Sequence, residues 1–300
     1  MSTTITRLLG VPVVSAIFLA SCGIGTASSS VPLRVVAGES PWGAVAAAIG
    51  GNRVNVVSLL ANPALDPHSF TATAADAALV NQASVVIENG MGYDPYVGQL
   101  LATGATGPRR VVNVSSVLKV VRSDANPHLW YWIDHVPIAA AAIERAMAAQ
   151  DPRNRSYFLA RLKSFTMGVA TLVKELATIK LERHGSTVAQ TERVAAYLLT
   201  EAGLRIVSPL GFSLAIENGV APSFSDQRRI QTQLKDRRVA VLVYNVQTVS
   251  GVTTQVQQSA QNASIPVLGV SEVVEPEGAS FVSWQHAQIT RLSAALGVHQ

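Results

Sequence analysis

Residues 152–182 read PRNRSYFLARLKSFTMGVATLVKELATIKLE, and the reading of this stretch decides how the chain is divided. Tyr157, Leu159, Leu162, Phe165, Met167, Val169, Leu172, Leu176 and Ile179 recur near the 3.6-residue period of a helix. No proline follows Pro152, and Gly168 is the one glycine. A helix of about 30 residues is roughly 45 Å long at 1.5 Å per residue, more than a crossover helix needs. No heptad repeat is sustained, so a coiled coil is not the reading. The stretch is expected to be a rod joining two lobes.

On both sides of the rod, strands alternate with helices. Before it, Leu33–Ala37, Val54–Leu60, Ser84–Ile87 and Arg110–Val114 read as strands. Helices are expected from Pro41 to Ile49 with Ser40 as N-cap, from Thr73 to Gln82, and after Asp94-Pro95. After the rod, Thr187–Gln190, Leu204–Val207, Arg238–Tyr244 and Ile265–Val270 read as strands. Helices are expected over Glu192–Ala202, Ser225–Lys235, Thr248–Asn262 and Phe281–Leu296. This alternation implies βαβ units and parallel sheets. The fold expected is α/β: two βα-sandwich lobes, each with a small mainly parallel sheet, joined by a long rigid helix. The lobes are placed at residues 33–150 and 184–300, with the linking helix at 151–183.

The first thirty residues fall outside this pattern. Arg7 precedes an apolar run, Leu8 to Ala20, of the length of a secretory signal and too short for a bilayer span of roughly 20 residues. Leu19-Ala20-Ser21-Cys22 matches a bacterial lipobox, and Cys22 is the single cysteine of the chain. Residues 1–21 are therefore expected to be a lipoprotein signal peptide and residues 22–32 a Gly/Ser-rich tether. Lipid on Cys22 would anchor the protein at the extracytoplasmic face of the cell membrane. Charged residues make up 14% of the 300, net charge is +4, and no basic cluster is interleaved with aromatics. Nucleic acid is not an expected partner, and a monomer is expected.

Two loops share a grammar. Asn62-Pro63-Ala64-Leu65-Asp66-Pro67-His68 follows the second strand, and Asn126-Pro127-His128 precedes a helix, each with proline directly before histidine. Proline stiffens the backbone and holds the ring in place before any ligand arrives. In the second lobe Gln190-Thr191-Glu192 sets a carboxylate where a strand ends, with Thr191 as cap and Glu192 in the first helical turn. Val270-Ser271-Glu272 repeats the arrangement. Ligands of open α/β sheets bind at that edge. Two imidazoles and two carboxylates suit a divalent transition metal, Zn²⁺ or Mn²⁺. At 60, 64 and 80 residues apart they are not a local chelating motif. Asp66 either orients the His68 imidazole or caps its turn. His135, opening a helix, reads as structural with an accessory ligand as the alternative, and His184, His286 and His299 read as solvent-facing.

These residues resemble the metal-binding receptor lipoproteins of bacterial zinc and manganese ABC transporters, the cluster A-I binding proteins, over about Leu33 to Leu296. The likeness rests on Asp66-Pro67-His68-Ser69-Phe70, Ile87-Glu88-Asn89-Gly90-Met91-Gly92, Asn126-Pro127-His128-Leu129-Trp130, Thr191-Glu192, Val243-Tyr244-Asn245 and Ile265-Pro266-Val267 with Glu272. It implies two α/β lobes on a backbone helix, with the metal between them on His68, His128, Glu192 and Glu272. It further implies capture of Zn²⁺ or Mn²⁺ as cargo, delivery to an ABC permease, and no enzymatic activity. Arg193 stands where many relatives have proline, which implies a looser third loop. The rival readings are a metal-dependent hydrolase and a surface adhesin with an incidental metal site.

Overall fold

The computed structural model describes residues 1–4, 31–104, 107–120, 122 and 125–298. Cys22, the signal segment and His299 lie outside the described residues. Residues from Pro32 onward form one compact unit. Its first half contains β1 (Leu33–Glu39), α1 (Ser40–Gly50), β2 (Val54–Leu60), α2 (Ala74–Gln82), β3 (Val85–Glu88), α3 (Pro95–Thr103), β4 (Arg110–Asn113), α4 (Val114–Val117) and α5 (Val136–Gln150). Then comes α6 (Arg155–Arg183). The second half contains β5 (Thr187–Gln190), α7 (Ala196–Glu201), β6 (Arg205–Ile206), α8 (Leu210–Glu217), α9 (Phe224–Lys235), β7 (Val241–Asn245), α10 (Gly251–Asn262), β8 (Val267–Val270) and α11 (Phe281–Ala295).

The strands form two four-stranded sheets, β2-β1-β3-β4 and β6-β5-β7-β8. Every pairing is parallel. Side chains alternate across each sheet, as strand geometry requires. Val35, Ala37, Val85 and Ile87 face a large central core, while Val36 and Val86 join Val80, Tyr96 and Val97 on the outer face. In the second sheet Val188, Val241 and Val243 point to the same central core, and Ala189 and Leu242 point to an outer cluster with Phe212, Ile230 and Leu234. With both faces covered, the strands are apolar runs rather than alternating ones.

The rod is present as α6, 29 residues and about 43 Å long. Its buried stripe is Phe158, Phe165, Val169, Leu172, Leu176 and Ile179, while Leu159 and Met167 are exposed. The 3.6 period through Phe165 and Val169 selects Phe158 and excludes those two neighbours. Gly168 meets α11: a Cβ there would lie 3.1 Å from Val282 Cγ2, so the absence of a side chain permits the crossing. The central core is continuous through both lobes and includes α6, with Trp42, Trp130 and Trp284 fully buried.

Several sequence expectations shift. Ser40 is the first residue of α1 rather than its cap, because its Oγ accepts the Val274 N–H at 2.9 Å from the other lobe. The helix expected over Glu192–Ala202 shortens to α7; in the segment before it Thr191 N–H donates to Val243 O and Arg193 N–H to Glu217. The strand read at Leu204–Val207 is the two-residue edge strand β6. α8 was not anticipated. Where tertiary contacts do not compete, local signals hold: Thr73 and Asp76 form a capping box on α2.

Candidate metal centre

His68 sits on a single 3₁₀ turn, Pro67–Ser69, just after β2. Asp66 Oδ1 accepts the His68 backbone N–H at 2.9 Å, and Ser69 Oγ donates to Asp66 O at 2.9 Å. Of the two roles open to Asp66, the one seen is the cap: its Oδ1 takes the His68 backbone N–H and shapes the loop. The His68 side chain is 23% exposed.

His128 is fully buried, and its loop is built by a relay from α1. Trp42 Nε1 donates to Asn89 Oδ1 at 3.0 Å, and Asn89 Nδ2 donates to Pro127 O at 2.9 Å. Asn126 Oδ1 lies 2.7 Å from His128 Nδ1 and accepts its proton, which leaves Nε2 pointing to Glu272 Oε2 at 2.9 Å. A partner at one ring nitrogen fixes which nitrogen is free to ligate. Tyr93 and Trp130 close on the His128 ring edgewise, with centroids 5.6 and 5.5 Å away.

Glu192 and Glu272 project from turns after β5 and β8, and both are buried. Glu272 is the hub. Tyr93 OH donates to its Oε2 and Asn245 Nδ2 to its Oε1, each at 2.7 Å, while Gln247 Oε1 accepts its backbone N–H at 2.5 Å. Asn245 Nδ2 also reaches Glu192 Oε2 at 3.1 Å, so one amide spaces the two carboxylates. In the third loop Arg193 is clamped by Glu217 of α8 in a fork-to-fork pair, Nε–Oε1 at 3.1 Å and Nη2–Oε2 at 2.7 Å.

The four side chains named from sequence come together between the lobes. His68 Nε2 is 3.4 Å from Glu192 Oε2 and 3.8 Å from Glu272 Oε1. Donor atoms of these three residues lie within 4.8 Å of one another, and His128 attaches through Glu272. Glu192 Oε1 is buried with no hydrogen-bond partner among the described residues. Both histidines line a cleft of about 970 Å³, whereas the carboxylates stand behind them, away from its wall.

The electrostatics are those of a site awaiting positive charge. Burial would lower the His68 imidazolium, but the Glu192 hydrogen bond and the charges of Glu272, Glu192 and Asp66 outweigh it and lift its pKa to about 9. Burial would raise Glu272, yet His128, His68 and the Tyr93 hydroxyl hold it down at about 2. Glu192 is raised, first by burial and then by Glu272, against its contacts with His68 and Asn245. Two carboxylates and two neutral imidazoles balance one divalent cation. Tyr93, Asn245 and Gln247 were not singled out as supports; Asn245 ends the Val243-Tyr244-Asn245 motif and β7, whereas Tyr93 and Gln247 are signalled only by position, shortly after β3 and β7.

His184 and His286 face solvent, as expected, the latter against Glu175. Among the described residues no helix is long and apolar enough to cross a membrane.

Residues 35–295 match the family described as zinc-uptake complex component A, periplasmic. Among curated proteins, the manganese ABC transporter substrate-binding lipoprotein PsaA of Streptococcus mitis is 25% identical over 175 residues, covering 54% of this chain and 56% of that protein. The chain spans about half the length of the curated relatives it matches. Among solved structures, FpvC from Pseudomonas aeruginosa in complex with Mn²⁺ superposes with a TM-score of 0.74 at 20% identity, over 89% of this chain and 99% of that one. The periplasmic zinc-binding protein TroA from Treponema pallidum gives 0.71 at 20% identity over 89% and 99%. These likenesses show a shared two-lobe fold.

Proposed function

Because the chain belongs to the periplasmic zinc-uptake component A family, we propose that it is an extracytoplasmic receptor that captures a divalent transition metal, Zn²⁺ or Mn²⁺, and delivers it to an ABC permease for import. The proposed ligands are His68, His128, Glu192 and Glu272. The observation that carries this reading is the convergence of donor atoms of His68, Glu192 and Glu272 within 4.8 Å of one another, with His128 Nε2 2.9 Å from Glu272 and Glu192 Oε1 buried without a hydrogen-bond partner among the described residues. A buried carboxylate oxygen in that state is disfavoured until a cation or proton meets it.

Four protein ligands close the coordination sphere, which favours holding over catalysis. The imidazoles at the cleft would receive the ion and the buried carboxylates would neutralise it. The hydrogen-bonding supports of the carboxylates come from both lobes: Tyr93 from the first, and Asn245 and Gln247 from the second. A core continuous through α6 opposes wide opening, so exchange would proceed by small rocking of the lobes. Residues 1–21 would be the signal peptide and residues 22–32 a tether lipidated at Cys22, ahead of lobes at 33–150 and 184–300 on the 151–183 helix. The receptor would act as a monomer.

Calorimetric titration of the mature, metal-free protein with Zn²⁺ and Mn²⁺ tests the site. The H68A/H128A variant should lose high-affinity binding. Undiminished affinity in that variant would overturn the ligand assignment, and unimpaired metal uptake in a strain lacking the protein would overturn the transport role.

A further inference from the structure

A second group of donors lies away from the cleft. Asp134 and His135 end a 3₁₀ turn, Ile133–His135, immediately before α5, and Glu201 ends α7 in the other lobe. Donor atoms of the three side chains lie within 4.8 Å of one another. Asp134 Oδ1 contacts His135 Nδ1, and Glu201 Oε1 accepts the Asp134 N–H at 3.3 Å. Glu201 Oε2 is buried with no hydrogen-bond partner among the described residues.

The His135 ring is held as a ligand must be. It stacks on Trp132 at 3.6 Å between centroids and 22° between planes, and Trp132 stacks on Tyr197 of α7 at 4.8 Å and 5°. The stack and the donor group therefore bridge the same two elements. Two adjacent carboxylates require a shared proton or a cation between them. A proton satisfies the two acids but does not explain an imidazole fixed against them.

We propose that Asp134, His135 and Glu201 form a second divalent-metal site, independent of the first and suited to Zn²⁺. One nitrogen and two carboxylate oxygens are a donor set that Zn²⁺ accepts, with water in the remaining position. Asp134 and His135 side chains are 52% and 32% exposed, so the ion has a direct path from solvent and binds more weakly than in the buried centre. It would fasten α7 to the turn before α5, a strap across the lobes on elements that both pack on α6. The proposal shares no residue with the centre described above and stands without it.

Zn²⁺ titration of the mature protein, read by calorimetric stoichiometry and by tryptophan emission, tests it. Wild type should bind two equivalents and H68A/H128A one, weaker, and H68A/H128A/H135A none. The emission change in H68A/H128A should vanish when Trp132 is replaced in H68A/H128A/W132F. E201Q, which leaves the aromatic stack intact, should lose the same equivalent and so guards against misfolding of H135A. If H68A/H128A binds no Zn²⁺, or if the remaining equivalent is unmoved by both H135A and E201Q, the site does not exist.

Discussion

Asn126→Ala removes the acceptor at His128 Nδ1 while leaving all four proposed ligands in place. In the wild type the Nδ1–H bond is 2.7 Å and the ring is fully buried. Without Asn126 the metal-free protein can relax, since the ring is free to carry its proton on Nε2 and donate it to Glu272, 2.9 Å away. The metal-bound protein cannot, because Nε2 must present a lone pair and Nδ1–H is left buried and unpaired. An unpaired buried donor costs about 1–3 kcal/mol, and here it falls on the bound state alone. That converts to roughly 5- to 150-fold in Kd, which agrees with the 10- to 100-fold loss common for outer partners of ligating histidines. Competition against a chelator of known affinity would measure it. Asn126→Asp keeps the acceptor and forfeits only the 2.7 Å donation from Nδ2 to Arg193 O, so it should lie much nearer wild type. An N126A protein that binds metal as tightly as wild type would refute the claim that the ring is held for Nε2 ligation.

Four further outcomes follow from the geometry. Metal must displace the proton that His68 holds up to about pH 9, so affinity should rise about tenfold per pH unit below that value, with close to one proton released per ion at pH 7; calorimetry in buffers of different ionisation enthalpy counts it. In the metal-free protein His68 is raised from 6.5 to about 9, so its stabilisation is fully present below pH 6.5 and lost as pH climbs through 9; Glu272 is lowered from 4.5 to about 2, so its contribution is present above 4.5 and lost as pH falls through 2. Melting temperature should therefore peak between those limits, and a flat profile from pH 6 to 10 would count against the His68 couplings. Tyr93→Phe deletes the hydroxyl on Glu272 Oε2 and should weaken metal binding by about tenfold with little change in melting temperature. Phe158→Ala should destabilise by about 3–5 kcal/mol in denaturant unfolding, and the exposed Leu159→Ala by less than about 0.5.

The strands of both sheets, the long helix and the two proline-stiffened histidine loops were legible from residue order. Each is governed by interactions within a few residues: alternation along a strand, the 3.6 period of α6, the fixed φ of Pro67 and Pro127. The same locality explains the misreadings. Thr191 and Glu192 look like a cap and first turn, yet the helix begins only at Ala196, and the N–H groups of Thr191 and Arg193 go to Val243 and Glu217. Ser40 looks like a cap until Val274 claims its oxygen.

What the sequence determined by itself was which side chains end up at strand ends, on which edge of which sheet, and the donor chemistry available there. Tertiary structure decided how they meet. Tyr93 and Glu272 are 179 residues apart and 2.7 Å from each other, and Asn245 spaces two carboxylates that lie on either side of it in the chain. Such contacts follow from how two sheets are set against one helix, a packing no local periodicity encodes. The same packing brings Asp134 and His135 to Glu201, so a histidine read as the start of a helix becomes one of three converging donors.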